Sequence, residues 1–152
     1  MSTLYEQDLA AWAEAQAQAL RAAARAKLNT PVAVDWENLA EEIEQLARAE
    51  RRELGSRLFR LLTHLAKWRW QARRRSRSWR ATIGEQRREL ARLLADSPSL
   101  RSSLPGSFAS AWADARGQAA DETGLPLSTF PETCPFTPEA ALDPGFWPEA
   151  AD

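Results

Sequence analysis

Apolar residues return along the middle of the chain at Trp36, Leu39, Ile43, Leu46, Leu54, Leu58, Leu61, Leu65 and Trp68. Gaps of three and four put them on one stripe, which predicts a long helix over residues 35–71, or two helices joined near Gly55. Asp35 suits an N-cap. Glu37, Glu41, Glu42 and Glu44 follow it near the positive end of the helix dipole, and Lys67 and Arg69 lie near the negative end. The pairs Glu44/Arg48 and Glu53/Arg57 stand at i, i+4 with the acid first, the favourable order on a helix face. One beat is missing: Glu50 stands where the rhythm asks for an apolar residue, and Gly55 weakens the helix just beyond it. A kink or break is therefore expected between residues 50 and 56.

The same reading extends outwards. Thr3-Leu4-Tyr5-Glu6 has the form of a capping box, so a first helix starts there with Tyr5, Leu9, Trp12, Gln16 and Leu20 on one face, and Asn29-Thr30-Pro31 ends it. After residue 71 comes ARRRSRSW, read as a basic connection or solvated helix end, with Ser76 or Ser78 as the next cap. A helix over roughly residues 79–95 follows, with Trp79, Ile83, Leu90 and Leu94 on its inner stripe, and Asp96-Ser97-Pro98 stops it. Pro105 opens another through Phe108, Trp112, Ala115 and Ala119, closed by Gly124. Six of the nine prolines fall beyond it, alternating with Phe130, Phe136, Phe146 and Trp147. Proline fixes φ and removes donors, so residues 126–152 are expected to form an extended strap anchored by its aromatics. An unstructured tail is the competing reading. The expected fold is all-α: residues 1–152 as a single domain, a small helical bundle built around the long central helix, with a Pro-rich aromatic C-terminal strap.

Composition sharpens this in three ways. Apolar residues make up 44% of the chain and include seven tryptophans, enough for a core although the mean hydropathy is -0.50. One cysteine, Cys134, and one histidine, His64, cannot make an internal disulfide or an ordinary structural zinc site, so no metal and no cofactor is expected, and a reducing compartment fits. The N-terminal residues lack the apolar core of a signal peptide and no stretch approaches the ~20 apolar residues of a membrane span, which points to a cytoplasmic protein with no membrane partner.

The net charge of -1 conceals a strong asymmetry. Residues 1–47 carry three basic and eight acidic groups, residues 48–92 fifteen and four, and residues 93–152 two and nine. Either the acidic thirds fold back and neutralise the middle, or a basic face stays open to an acidic partner.

Candidate chemistry lies in that basic middle. Arg57, Arg60, His64, Lys67 and Gln71 recur at helical spacing and form a polar ladder. Flanking cations would lower the pKa of His64 and keep it available as a base, with Arg57 and Lys67 holding a phosphate: a phosphodiesterase-like catalytic set. Arg57 and His64 also resemble the R-x4-6-H motif of HEPN ribonucleases, although Leu58 follows the arginine where those enzymes usually place a polar residue. The plainer reading is a histidine hydrogen-bonded at the edge of the stripe. The acidic set from Asp35 to Glu44 lacks a Glu-x-x-His pair, and dipole complementation explains it better than metal binding. Arg73, Arg74, Arg75, Arg77, Arg80 and Arg87, interleaved with Trp68, Trp70 and Trp79, are candidates for gripping phosphates and stacking on bases. The same arginines serve equally well stacked on tryptophans and paired with acids inside a bundle.

YEQDLAAW, DWENLAEEIEQLARAERREL, HLAKW, RSRSWRATIGEQR, DSPSL and ETGLPLSTFPETCPF, taken together, resemble the bacterial Domain of Unknown Function family 29, abundant in cyanobacteria. The resemblance spans nearly the whole chain and implies a small all-helical prokaryotic cytoplasmic protein. It implies no activity. Its motif positions without an evident packing role are Asn38, Glu42, His64, Lys67, Arg77, Arg80 and Arg87. Three functions follow as expectations: a binding module engaging nucleic acid or an acidic protein through the basic face, a ribonuclease-like enzyme using His64, or a scaffold that forms homo-oligomers by pairing its charged thirds.

Overall fold

The computed structural model describes residues 2–151. Thr3 and Glu6 form the capping box of a one-turn helix α1, Leu4–Gln7: the Thr3 hydroxyl accepts from the Glu6 N–H at 3.3 Å and the Glu6 carboxylate from the Thr3 N–H at 2.8 Å. The single first helix read from the sequence is divided here. Asp8 takes an extended backbone, ends α1, and caps α2, Leu9–Ala26, by accepting from the Ala11 N–H at 2.9 Å. Helix α3 then runs from Trp36 to Trp70 without interruption, capped by Asp35. The break expected at residues 50–56 is absent. Glu50 fills the missed beat because a polar partner waits there: the Ser97 hydroxyl donates to its carboxylate at 3.1 Å. Gly55 costs helix propensity only, and packing on either side of it overrides that.

Ser76 caps α4, Arg77–Asp96, and Pro105 sits in the first turn of α5, Leu104–Thr123, which Gly124 closes in the left-handed region at φ 74°. The strap holds a short helix, α6, Pro138–Leu142, started by Thr137, which accepts from the Ala140 N–H. The sequence reading made this stretch wholly extended; Thr-Pro-Glu supplied the start signal.

At 1.5 Å per residue α3 is about 52 Å long, and its two halves have different neighbours. The second half is the core of the molecule. Leu54, Leu58, Leu61, Leu65 and Trp68 are buried as expected, with Leu62 and Ala66 added because α4 and α5 both pack on this half. The first half packs on α2 to form a projecting antiparallel arm. The stripe expected there, Leu39 and Leu46 with Tyr5, Trp12 and Gln16 on the facing helix, is not the contact. Alanines are buried instead: Ala10, Ala13 and Ala17 against Ala40 and Ala47, which let the two backbones approach closely, while Leu39 and Leu46 remain 42% and 41% exposed. One edge of the arm is latched by ion pairs of Arg21 with Glu41 and Glu44, of Arg48 with the same two acids, and of Arg51 with Glu14.

The base of the arm is fixed by a small polar hub. Asp8 accepts from the Ser99 N–H at 2.6 Å and hydroxyl at 2.8 Å, and buried Ser97 accepts from the Ala10 N–H at 3.1 Å while donating to Glu50. These two serines explain the DSPSL turn between α4 and α5, where a 3-10 turn over Pro98–Ser102 aims them at α2. The strap closes the opposite side through aromatics: Trp70 meets Phe130 at 5.2 Å, Trp112 meets Phe136 at 6.1 Å, and Phe136 meets Phe146 at 5.9 Å between ring centres.

Two substitutions check this architecture by chemical denaturation. A Cβ added at Gly55 meets nothing within 4 Å, so Gly55→Ala should raise stability by about 0.5–1 kcal/mol, whereas a helix broken at Gly55 would lose stability. Ser97→Ala should lower it by about 1–3 kcal/mol, by stranding the Ala10 N–H and the Glu50 carboxylate.

Candidate functional site

The arginine-rich run from Lys67 to Arg80 lies at the end of the molecule opposite the arm's tip, where α3 ends, a 3-10 turn covers Ala72–Arg74, and α4 begins. A proline-rich strap has carbonyl acceptors in excess of N–H donors, and arginine forks supply what it lacks. Arg87, buried on α4, donates to the carbonyls of Ala141 at 2.8 Å, Phe146 at 2.7 Å and Pro144 at 3.4 Å. Arg75 donates to Trp68 and Pro148, Arg69 to Glu149, and Arg116 to Phe130. The indoles of Trp68 and Trp147 meet at a tilt of 47° with ring centres 4.7 Å apart, Arg75 lies 4.8 Å from the Trp68 ring, and Arg80 lies 4.6 Å from that of Trp147.

The proposed binding residues therefore divide. Arg75 and Arg87 hold the strap. Trp68 is buried and Trp70 is packed among Phe130, Phe136 and Trp112, so neither indole face stands open for a base. Arg73, Arg74, Arg77 and Arg80 are exposed, and none of them has a carboxylate partner among the described residues. Of the acids of residues 35–44, Glu41 and Glu44 are paired in the arm and Asp35 caps α3; Arg48 holds Glu41 below the usual carboxylate range. Asn38 donates to Asp35 at 2.7 Å, and Glu42 is exposed.

Four of the five rungs of the ladder on α3 have partners, and the Arg60 guanidinium has none among the described residues. Arg57 reaches Gln86 and Glu53, both at 3.4 Å; Lys67, buried, meets Glu122 at 3.3 Å and the Trp79 ring at 4.6 Å; Gln71 donates to the Thr123 carbonyl. His64 Nδ1 lies 2.9 Å from the Arg60 carbonyl. A carbonyl can only accept, so this contact assigns the proton to Nδ1 and leaves Nε2 with its lone pair in the neutral ring. Burial, reinforced by the charges of Lys67 and Arg60 and opposed by the hydrogen bond to the Arg60 carbonyl and by Glu122, holds the imidazole below its ordinary pKa. His64 thus has the electronic state of a base, but Arg57 and Lys67 are engaged elsewhere. A cavity of about 340 Å³ lies between α4, α5 and α6, lined by Arg87, Leu94, Arg101, Leu142 and Asp143 among others and by no residue of the ladder. Among the described residues no three His, Cys, Asp or Glu side chains are grouped to hold a metal, and no helix is long and apolar enough to cross a membrane.

Sequence reasoning missed Gln86, fully buried on α4, whose carboxamide oxygen accepts from Arg57 while its NH2 group has no partner. Its signal was present: Gln86 and Arg87 fill the inner stripe between Ile83 and Leu90, where a periodic helix would carry apolar residues. Ser97 was read only as part of the stop after α4, and Asp8 and Ser99 were not singled out.

Fold and site together define an all-helical domain with a projecting two-helix arm and an arginine-bearing opposite end. Residues 4–147 match the family described as Domain of unknown function DUF29, and the chain belongs to that family. A solved α-helical protein of unknown function from Rhodospirillum rubrum is similar in fold, with a TM-score of 0.79 and 24% identity over 96% of this chain and 93% of that one. No curated protein matches the chain.

His64 gives a pH test. Its folded pKa lies below the ordinary value of 6.5, so the unfolded chain binds a proton that the folded chain resists. The stability this contributes is present above about pH 6.5 and is lost as pH falls toward the folded pKa. NMR titration of the imidazole should show a midpoint below 6.5, and His64→Gln should flatten the stability slope in that range; a midpoint above 6.5 would contradict the placement.

Proposed function

We propose that this domain is a binding module whose arginine-bearing end, Arg73, Arg74, Arg77 and Arg80, takes a polyanion, with single-stranded nucleic acid the best fit. The observation that carries this reading is where the cations' partners are. The strap accepts from the arginines through backbone carbonyls, and of its acids Asp143 acts on Arg87, already engaged with the strap. The exposed four keep their charge, and they surround the first turn of α4, which carries no acid and whose dipole adds positive potential. Placing like charge at a helix N-terminus costs stability, a cost that an anionic ligand would reverse. Stacking on Trp68 or Trp70 forms no part of the reading, because both rings serve the fold.

Fluorescently labelled single-stranded RNA titrated with the protein should bind, with affinity falling as salt rises at a log–log slope of about -2 to -3 for three or four phosphate contacts. Arg73→Glu, Arg74→Glu and Arg77→Glu combined should abolish binding while leaving the helical circular dichroism unchanged, since none of the three touches the strap. Binding that ignores both salt and the triple reversal would overturn the reading. Retention of an acidic polypeptide in place of RNA would assign the partner as protein.

One observation favours a second reading, the ribonuclease-like one: the free Nε2 of a neutral His64. Turnover of RNA by the wild type, lost in His64→Ala with binding retained, is the outcome it requires.

A further inference from the structure

The cavity between α4, α5 and α6 has a lining sorted by depth. Arg87, Leu94 and Leu104 are buried, at 4%, 3% and 8% exposure, while Arg101, Glu139 and Asp143 are exposed. Arg87, Ala91 and Leu94 recur at spacings of four and three, so α4 presents them as one wall. The turn before α5 supplies Arg101, and the strap supplies Glu139, Leu142 and Asp143. The space is therefore apolar within, apart from one guanidinium, and charged at its mouth.

Charges of both signs line this one space without meeting. Among the described residues Arg101 and Glu139 make no side-chain hydrogen bond or ion pair, and the Asp143 carboxylate accepts only from the Gly145 N–H, at 2.9 Å. Arg87 gives its three bonds to strap carbonyls and, as an arginine, has N–H groups left for a further acceptor. No carboxylate touches its guanidinium. Burial holds that group below the ordinary arginine range, with Asp143 acting in the opposite direction, so a carboxylate seated beside it would relieve an uncompensated charge.

We propose that this cavity binds a free α-amino acid with an apolar side chain: its carboxylate on Arg87 and Arg101, its ammonium on Glu139 and Asp143, and its side chain against Leu94, Leu104 and Leu142. The lining selects this class by charge. A simple carboxylate would meet the two acids and a simple amine the two arginines, whereas a ligand with both charges on one carbon suits the lining as a whole. Size agrees. A cavity of about 150 Å³ holds one benzene ring, so a space of about 340 Å³ has room for roughly twelve non-hydrogen atoms, which is phenylalanine. The site shares no residue with the polyanion-binding end and does not depend on that reading.

Isothermal titration of the full chain with L-phenylalanine should show one saturable site per chain. Phenylpropionate, which lacks the ammonium, and phenylethylamine, which lacks the carboxylate, should each bind roughly tenfold or more weakly, because either leaves charged groups of the site unpaired. Arg101→Met and Glu139→Gln change exposed side chains without partners, so both should keep the circular dichroism spectrum and the melting temperature. Arg101→Met should weaken L-phenylalanine about tenfold. Glu139→Gln should weaken it while narrowing the gap to phenylpropionate, a change of preference that lost packing does not produce. Ala91→Trp, at another exposed position, should block the cavity. No binding of any apolar amino acid at about 10 mM, equal affinity for L-phenylalanine and phenylpropionate, or binding indifferent to Ala91→Trp would each overturn the proposal.

Discussion

A strap rich in proline brings more carbonyls to the surface of a bundle than N–H groups to pair with them, and the arginines and the strap are arranged around that excess. Arg87 alone satisfies three carbonyls of the strap from a buried position on α4. Arg69, Arg75 and Arg116 add others, and the Trp112 indole donates to the Pro131 carbonyl at 2.8 Å. Only arginine offers enough donors on one planar group to serve carbonyls spread over several residues, which is why lysine is rare here. The electrostatic outcome follows from the same choice. Carbonyls accept hydrogen bonds without neutralising charge, and Arg73, Arg74, Arg77 and Arg80 are left with no carboxylate partner among the described residues.

The arm follows from a second constraint, the size of the side chains between its helices. Leucines between α2 and α3 would hold the backbones farther apart and would seal the arm from both flanks. Alanines bring the helices close and leave the larger side chains outside the contact, where Leu39 and Leu46 now stand. The polar hub of Asp8, Ser97, Ser99 and Glu50 then does at the base what apolar packing does elsewhere. It fixes α2 to the turn after α4 with directional bonds, which specify geometry more tightly than nonpolar contact.

Much of this was legible in the sequence, unevenly and for physical reasons. Leu54 to Trp68 could be read because helical spacing encodes a shared face and the surrounding helices bury it. The caps at Thr3, Asp35 and Ser76, the proline in the first turn of α5 and the left-handed Gly124 were legible because each depends on local chemistry alone. The first half of α3 misled because periodicity says which residues share a face but not whether anything covers it. Alanine compounds this, being at once a good exposed helix former and a close-packing residue. Glu50 looked like a fault in the pattern because its partner, Ser97, is distant in sequence. For the site, position was legible and pairing was not: a run of arginines announces charge, but backbone carbonyls, which every residue carries, leave no mark in the sequence when they are the acceptors. The division of the arginines into strap holders and exposed cations therefore needed the structure, as did the burial of Trp68 and Trp70.

The continuity of α3 through Gly55 carries a mechanical consequence. A single helix spans the molecule from the tip of the arm to the turn that bears Arg73 and Arg74, with no hinge along its length. The two ends therefore cannot choose their orientations separately, and α3 works as a rigid spacer. Whatever seats itself on the arm fixes, about 52 Å away, both the position and the direction in which the positive end faces.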